Sequence, residues 1–309
     1  MILLGGIPSE GPHALLVEAL DDLGLKYRFF NQRQCTACDA ELRIDSHGVD
    51  GKLRLGDENF RLGDFSAIYF RLMDDRILPE LENEPEDSHS RKRTRALHDT
   101  LYRWLEIADA RVVNRSDPQG SNGSKPYQAQ LIARCGLRTP ETLITNDPEK
   151  VISFQNKHGK IIYKSISGIR SIIKAFDDDD RARLEHIRWC PVQFQEFVPG
   201  TDMRVHVIGE DVFATEIISD RIDYRYARKQ GGETTLRAVE IADDLAARCV
   251  ALTAELGLIF SGIDLRIGPD GTATCFEVNP SPAYSYYQAN AGQPIATSLA
   301  RYLGGLSRN

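Results

Sequence analysis

Two apolar segments near the C-terminus, FSGIDLRI (260–267) and ATCFEVN (273–279), constrain this chain more than any other feature. The turn sequence GPDGT joins them, so they read as a β-hairpin. Asp264 lies on the first strand, and Glu277 and Asn279 lie on the second. Because Glu277 and Asn279 are two residues apart, they project from the same face. Acids set among Ile, Leu, Phe and Val are costly to bury unpaired. Magnesium takes hard oxygen ligands, few of them carboxylates, and completes its shell with water and phosphate oxygens. Asp264, Glu277 and Asn279 meet that requirement as candidate metal ligands. The plainer alternative is a hairpin whose polar groups are satisfied by its own turns.

Upstream elements could hold a phosphorylated nucleotide. Lys164 ends the apolar strand KIIYK, and the loop SISGIRS follows at once. Ser167 and Gly168 in that loop offer a hydroxyl and backbone N–H groups to phosphates, although the loop is no Walker motif. Lys125, just before a helix, is a second candidate cation. In QFQEFVPGTDMRVHVIG, the stretch Glu196, Phe197 and Val198 can give adenine backbone hydrogen bonds and an apolar wall. Asp202 is a candidate for ribose hydroxyls, and Arg204 can meet phosphate or acyl-phosphate charge. The loop RIDYRYARKQGG adds Tyr224, Arg225, Arg228 and Lys229.

The order of elements indicates an α/β protein. The first third alternates strand and helix: ILLGG, a helix from His13 to Leu23 stopped by Gly24, KYRFFN, DFSAIYFRL, a helix from Arg93 to Ala108, then RVVNRS. Residues 42 to 62 read as a small hairpin insert. The Pro/Gly/Ser-rich SDPQGSNGSKP marks a boundary, followed by a helix from Pro126 to Cys135 and the strand TPETLIT. Later come strands, a helix from Glu240 to Leu256, the hairpin, and a closing helix from Ile295 to Leu303. The acid run Asp177 to Asp180 reads as a solvated turn leading into a helix at Ala182 to Ile187.

Bulk properties exclude several classes. A chain of 309 residues suits two or three subdomains. A net charge of −7 argues against a general nucleic-acid surface. The basic run Arg91 to Arg95 reads as a solvated loop entering a helix. No apolar run is long enough for a transmembrane helix, and MILLGGIPSEGPH lacks a basic region ahead of Pro8, so a cytoplasmic location is expected. Cys35 and Cys38 have a suggestive spacing, with His47 nearby, but no second pair follows. A reduced pair in a cytosolic loop is the expectation, rather than zinc.

The stretches SKPYQAQLIARCGLRTPETLIT, IIYKSISG, QEFVPGTDMRVHVIG, DYRYARKQGG, SGIDLRI and CFEVNPSP fall, in this order, within residues 114–285. Together they resemble the ATP-grasp superfamily, in particular the ribosomal-protein glutamate ligases and the microviridin-type (graspetide) peptide ligases. The resemblance implies an ATP-grasp fold of α+β subdomains behind an N-terminal open α/β pre-ATP-grasp domain, divided as 1–115, 116–195 and 196–309. It implies ATP and Mg2+ or Mn2+ as cofactors. Lys125 and Lys164 would contact phosphates and adenine, Glu196 and Val198 the adenine hinge, and Asp202 the ribose. Arg225 would meet the phosphates and the intermediate, and Asp264, Glu277 and Asn279 the metal.

The implied activity joins a carboxylate to an amine or hydroxyl through an acyl-phosphate, with Arg204 and Arg225 as catalytic cations. The run IDYR resembles the peptide-modifying branch and points to a peptide or protein substrate. A ligase for small amino acids or dipeptides, and a non-catalytic ATP-binding or partner-recruiting protein, are the alternatives. Relatives are commonly homo-oligomers. Two departures stand out: SISGIRS is poorer in glycine than the family's usual phosphate loop, and Ala227 stands where many relatives carry Asn.

Overall fold

The computed structural model describes residues 1–46, 48–165, 173–219 and 234–307. In the N-terminal part run β1 (Ile2–Gly6), α1 (Gly11–Asp22), β2 (Tyr27–Asn31), β3 (Cys38–Asp45), β4 (Gly48–Leu55), β5 (Glu58–Arg61), β6 (Ala67–Phe70), α2 (His89–Ile107) and β7 (Arg111–Val113). Four of these strands form a parallel sheet in the order β2-β1-β6-β7. Parallel strands are buried on both faces, which explains why β1 and β6 read as unbroken apolar runs. Ile2 and Leu4 point toward α1, while Leu3 points into the opposite core, so neither face of β1 has room for a polar side chain. The insert is larger than the sequence suggested. It is an antiparallel three-stranded sheet, β3-β4-β5, that begins at Cys38.

The central part holds α3 (Ser116–Gln119), α4 (Lys125–Arg134), β8 (Thr142–Thr145), α5 (Pro148–His158), β9 (Ile161–Lys164), β10 (Lys174–Ala175), α6 (Asp178–Ala182) and β11 (Val192–Glu196). Its antiparallel sheet has the order β10-β9-β11-β8 and packs Phe194 and Ile161 against Val151 and Phe154 of α5. That helix was missed in the sequence, although Asp147 caps its N-terminus, Pro148 opens it and Gly159 closes it.

The C-terminal part contains β12 (Thr201–Ile208), β13 (Asp211–Ser219), β14 (Thr234–Val239), α7 (Asp243–Glu255), β15 (Phe260–Ile267), β16 (Ala273–Asn279), α8 (Ser285–Ala291) and α9 (Ile295–Gly304). Its antiparallel sheet runs β14-β13-β12-β15-β16. One face sends Val205, Val207, Ile263, Leu265, Cys275 and Val278 into a core completed by Leu131 and Ile132 of α4 and by Cys249 and Leu252 of α7. Leu299 and Leu303 of α9 join the core of the N-terminal sheet.

Two charge runs behave differently from expectation. Arg91 to Arg95 lies inside α2, not in a loop. Arg91 is buried, pairs with Asp75 at 2.7 Å and donates to the carbonyls of Leu81 and Glu84, while Arg95 pairs with Asp75 and Glu86. The run therefore pins the segment ahead of the helix. Likewise Asp178 to Asp180 already forms α6, and Asp180 is buried because Tyr163, Lys174 and Arg183 donate to it. Cys35 and Cys38 are buried free thiols that donate to the carbonyls of Gln32 and Gln34. Burial, reinforced by the neighbouring Cys38, pushes the Cys35 thiol up to about 11. His47 lies outside the described residues. No helix among them is long and apolar enough to cross a membrane.

Candidate active site

The hairpin expected from the sequence is present, and its register brings the acids together. Asp264 on β15 sits directly opposite Glu277 on β16, and Gly262 sits opposite Asn279. Directly paired residues share a face, so all three oxygen donors lie on one side of the sheet. A β-bulge makes this possible. The register shifts after Asp264, so that Leu265 faces Cys275 and Phe276 is the extra residue. Cys275 and Val278 both point into the core. With strict alternation from Cys275, Glu277 would have pointed there too; the bulge turns it onto the opposite face.

Two cations share that face. Arg204 of β12 pairs across the sheet with Asp264, Nη1 to Oδ1 2.7 Å, and is buried. Lys125, the first residue of α4, places Nζ 2.8 Å from Glu277 Oε1. Asn279 Oδ1 accepts from the Ser281 backbone N–H at 2.9 Å, which leaves its second lone pair for another partner. Two carboxylates and one amide oxygen form a hard, sparse donor set. It fits magnesium or manganese, whose remaining positions water and phosphate oxygens fill.

Gly262 was overlooked in the sequence. A Cβ on it would fall against the Arg204 guanidinium, 2.6 Å from Nε and Cζ, so only glycine lets Arg204 lie across β15. A glycine within an apolar strand is the signal that marks such a close approach. Gly262→Ala is expected to displace Arg204 and lower turnover about as much as loss of that arginine does. The cost in stability should be about 1–3 kcal/mol, measurable by denaturant unfolding.

Gln128 was also overlooked. Its buried amide donates to Val278 O and accepts from Val278 N, both at 2.8 Å. It thereby serves the edge of β16 as another strand would, and it fixes the helix that carries Lys125 against the strand that carries Glu277 and Asn279. The Cys275 N–H finds its own partner in Arg138 O at 2.8 Å. Edge groups covered in this way are closed to other chains.

Lys125 also lines a cleft of about 750 Å³ between α4 and the central sheet. Lys164, Glu196, Gln193, Gln195 and Phe276 line it as well. The volume lies in the range of nucleotide and cofactor sites. Phe276, the bulge residue, supplies an aromatic surface there that strand alternation alone could not have located.

The three residues of the expected adenine segment have different surroundings. Glu196 lines the cleft, but its carboxylate accepts from Arg138 at 2.7 Å and from the Glu141 backbone N–H at 2.8 Å. Phe197 and Val198 are not among the lining residues. The Phe197 ring lies under Lys160 Nζ, 3.8 Å from its centroid, and Val198 is buried with its carbonyl accepting from Arg266. Asp202 pairs with that same Arg266 at 2.7 Å. Ser167, Gly168 and Arg225, together with Tyr224, Arg228 and Lys229, lie outside the described residues.

Behind Arg204 on the same strand lies His206, fully buried, 4.9 Å from the Tyr287 ring. Neither ring nitrogen has a hydrogen-bond partner among the described residues. Burial, followed by the Arg204 charge, holds its pKa well below the ordinary imidazole value. The folded state thus keeps His206 neutral, whereas the unfolded chain protonates it as pH falls. Its contribution to stability is complete above the unfolded value and is lost as pH drops below it, with a slope of up to about 1.4 kcal/mol per pH unit. Unfolding measured at about pH 7 and about pH 5 should show a smaller acid loss for His206→Leu than for the native chain.

Comparison with known proteins decides the family. Residues 123–303 match the RimK-like ATP-grasp domain. The chain belongs to the RimK-like ATP-grasp family. It is 27% identical over 217 residues to the alpha-aminoadipate–LysW ligase LysX of Sulfolobus acidocaldarius, a match that spans 66% of this chain and 77% of that one. Among solved structures, it is similar to the macrocyclase MdnC of Microcystis aeruginosa bound with precursor peptide MdnA. The TM-score is 0.80 at 21% identity, covering 98% of this chain and 99% of that one. It is also similar to the ATP-grasp ligase PsnB complexed with a phosphomimetic variant of its minimal precursor, Mg and ADP. There the TM-score is 0.79 at 27% identity, covering 98% and 97%. As a RimK-like ATP-grasp protein, the chain is an ATP-dependent ligase. The non-catalytic alternative falls with that membership.

Proposed function

We propose that this ATP-grasp ligase modifies a peptide or protein, activating a side-chain carboxylate of the substrate as an acyl-phosphate. The observation that carries this reading is the extent of the likeness. PsnB, a ligase complexed with a precursor, matches 98% of the chain, N-terminal sheet included, whereas the family domain alone begins at residue 123. LysX supports a second form of the same chemistry, in which an amino acid is one of the two partners. A cytoplasmic location is part of the proposal, because ATP and free thiols are at home there.

The residues divide the work as follows. Asp264, Glu277 and Asn279 would hold a divalent ion, which would supply positive charge against the negative charge of the transferring phosphoryl group. Lys125 and Lys164 hold phosphates at the mouth of the cleft, and Phe276 packs on the base. Arg204 faces the transferring phosphoryl group from the next strand. The substrate carboxylate oxygen attacks the γ-phosphorus, the bond to the β-phosphate oxygen breaks, and ADP leaves. An amine or hydroxyl then attacks the acyl carbon, phosphate departs, and the nucleophile loses its proton. No side-chain nucleophile is needed, so catalysis is positioning plus electrostatics.

The test is product mass. The protein is incubated with ATP–Mg and either the short peptides encoded beside its gene or free amino acids. A peptide lighter by one water per bond formed, with ADP release dependent on that peptide, supports the proposal. Condensation of free amino acids alone would replace it with the small-substrate reading.

A further inference from the structure

Beyond the ligands themselves, the turn that follows them is gripped from the N-terminal sheet. Neighbouring parallel strands β6 and β7 end in Phe70 and Val113, and the next residues are Arg71 and Asn114. Both are buried and polar. The Asn114 amide donates to Pro280 O at 2.6 Å and to Phe260 O at 2.7 Å, and its oxygen accepts from the N–H groups of Ile259 and Phe260. Arg71 Nη1 donates to Ser281 Oγ at 2.8 Å and to Pro282 O at 3.1 Å. The other side of its guanidinium is held by Glu10, which lies between β1 and α1, with Nη2 to Oε1 at 2.8 Å. Three successive residues, 280 to 282, are thus fixed from the carboxyl ends of two parallel strands, β6 and β7, with Glu10 holding Arg71 from behind. That edge is where open α/β sheets place their ligands.

The gripped turn is continuous with the metal face. The Ser281 N–H donates to Asn279 Oδ1 at 2.9 Å and so sets the rotation of that amide. We infer that Arg71 is a positioning residue for the metal site: through Ser281 it holds the Asn279 oxygen toward Asp264 and Glu277, which couples the N-terminal sheet to metal affinity. This rests on the assignment of Asn279 as a ligand. It gives the N-terminal sheet a task in the chemistry apart from any contact with substrate. The physical basis is general, since groups that orient a ligand are worth about 10–100-fold in metal affinity.

The test titrates the full-length protein with Mn2+ at saturating ADP, following free Mn2+ by electron paramagnetic resonance. Arg71→Lys keeps the charge but cannot hold Glu10 and Ser281 together, and should weaken Mn2+ binding about tenfold. Ser281→Ala keeps the backbone N–H to Asn279 but removes the hydroxyl that Arg71 grips, and should cause a smaller shift in the same direction. ADP affinity without metal should be unchanged in both. Asn279→Ala is the control for the ligand itself. If it binds Mn2+ like the native protein, the ligand assignment fails. If it weakens binding while Arg71→Lys and Ser281→Ala bind normally, the coupling is overturned. Lower thermal stability with native Mn2+ affinity counts against the coupling in the same way. Should Arg71→Lys fail to fold, Ser281→Ala decides alone, and an unshifted titration overturns the inference.

Discussion

Glu277→Gln and Asp264→Asn are each expected to lower substrate-dependent ADP release by about three orders of magnitude or more, while the fold persists. Both changes keep side-chain volume and remove a charge from the face where Asp264 and Glu277 lie opposite each other. The loss follows from the role assigned to the ion, because charge stabilisation of a transferring phosphoryl group is worth several kcal/mol. Asp264→Asn leaves the buried Arg204 without its charged partner and should cost some stability, whereas Glu277→Gln should change stability little. Glu277 is partly exposed and its partner Lys125 is too, so their ion pair is screened by solvent. Thermal unfolding of Glu277→Gln should therefore stay near that of the native chain while its steady-state turnover collapses. Turnover near the native rate in either variant would remove the hairpin from the mechanism.

The second large effect is expected at Arg204. Replacement by Met should cut turnover about 10²–10³-fold, mainly in kcat, because the guanidinium acts on charge that develops during transfer. Arg204→Lys keeps the charge without the planar fork and should recover only part of the loss. Since Arg204 is buried against Asp264, the Met variant will also lose some stability, so the comparison between Met and Lys carries the argument. Equal activity in the two variants would mean that charge has no part in the effect.

Much of the fold was legible because its signals are local. The hairpin announced itself through GPDGT and the parallel strands through unbroken apolar runs. The ligand candidates were legible for a related reason, since acids within apolar strands demand explanation. What stayed hidden depends on partners distant in sequence. The bulge at Phe276 has no composition signal, and it decides both which face Glu277 takes and what enters the cleft. Gln128 looked like an ordinary helical residue until its amide met Val278, 150 positions away. Arg91 looked solvated because nothing local reveals the carbonyls of Leu81 and Glu84 closing over it. Glu196 read as part of a hinge, and nothing local showed that its carboxylate also holds Arg138 and the Glu141 backbone, partners that reach it through the pairing of β11 with β8.

The central claim is that a carboxylate is activated by transfer of the γ-phosphoryl group beside the Asp264–Glu277 hairpin. Its most direct test labels the carboxylate of the accepted peptide with a heavy oxygen isotope and follows the label through one turnover. One labelled oxygen in the released inorganic phosphate, absent with Glu277→Gln, is the predicted result. Label appearing in AMP instead, or remaining wholly in the peptide while bond formation proceeds, would contradict it.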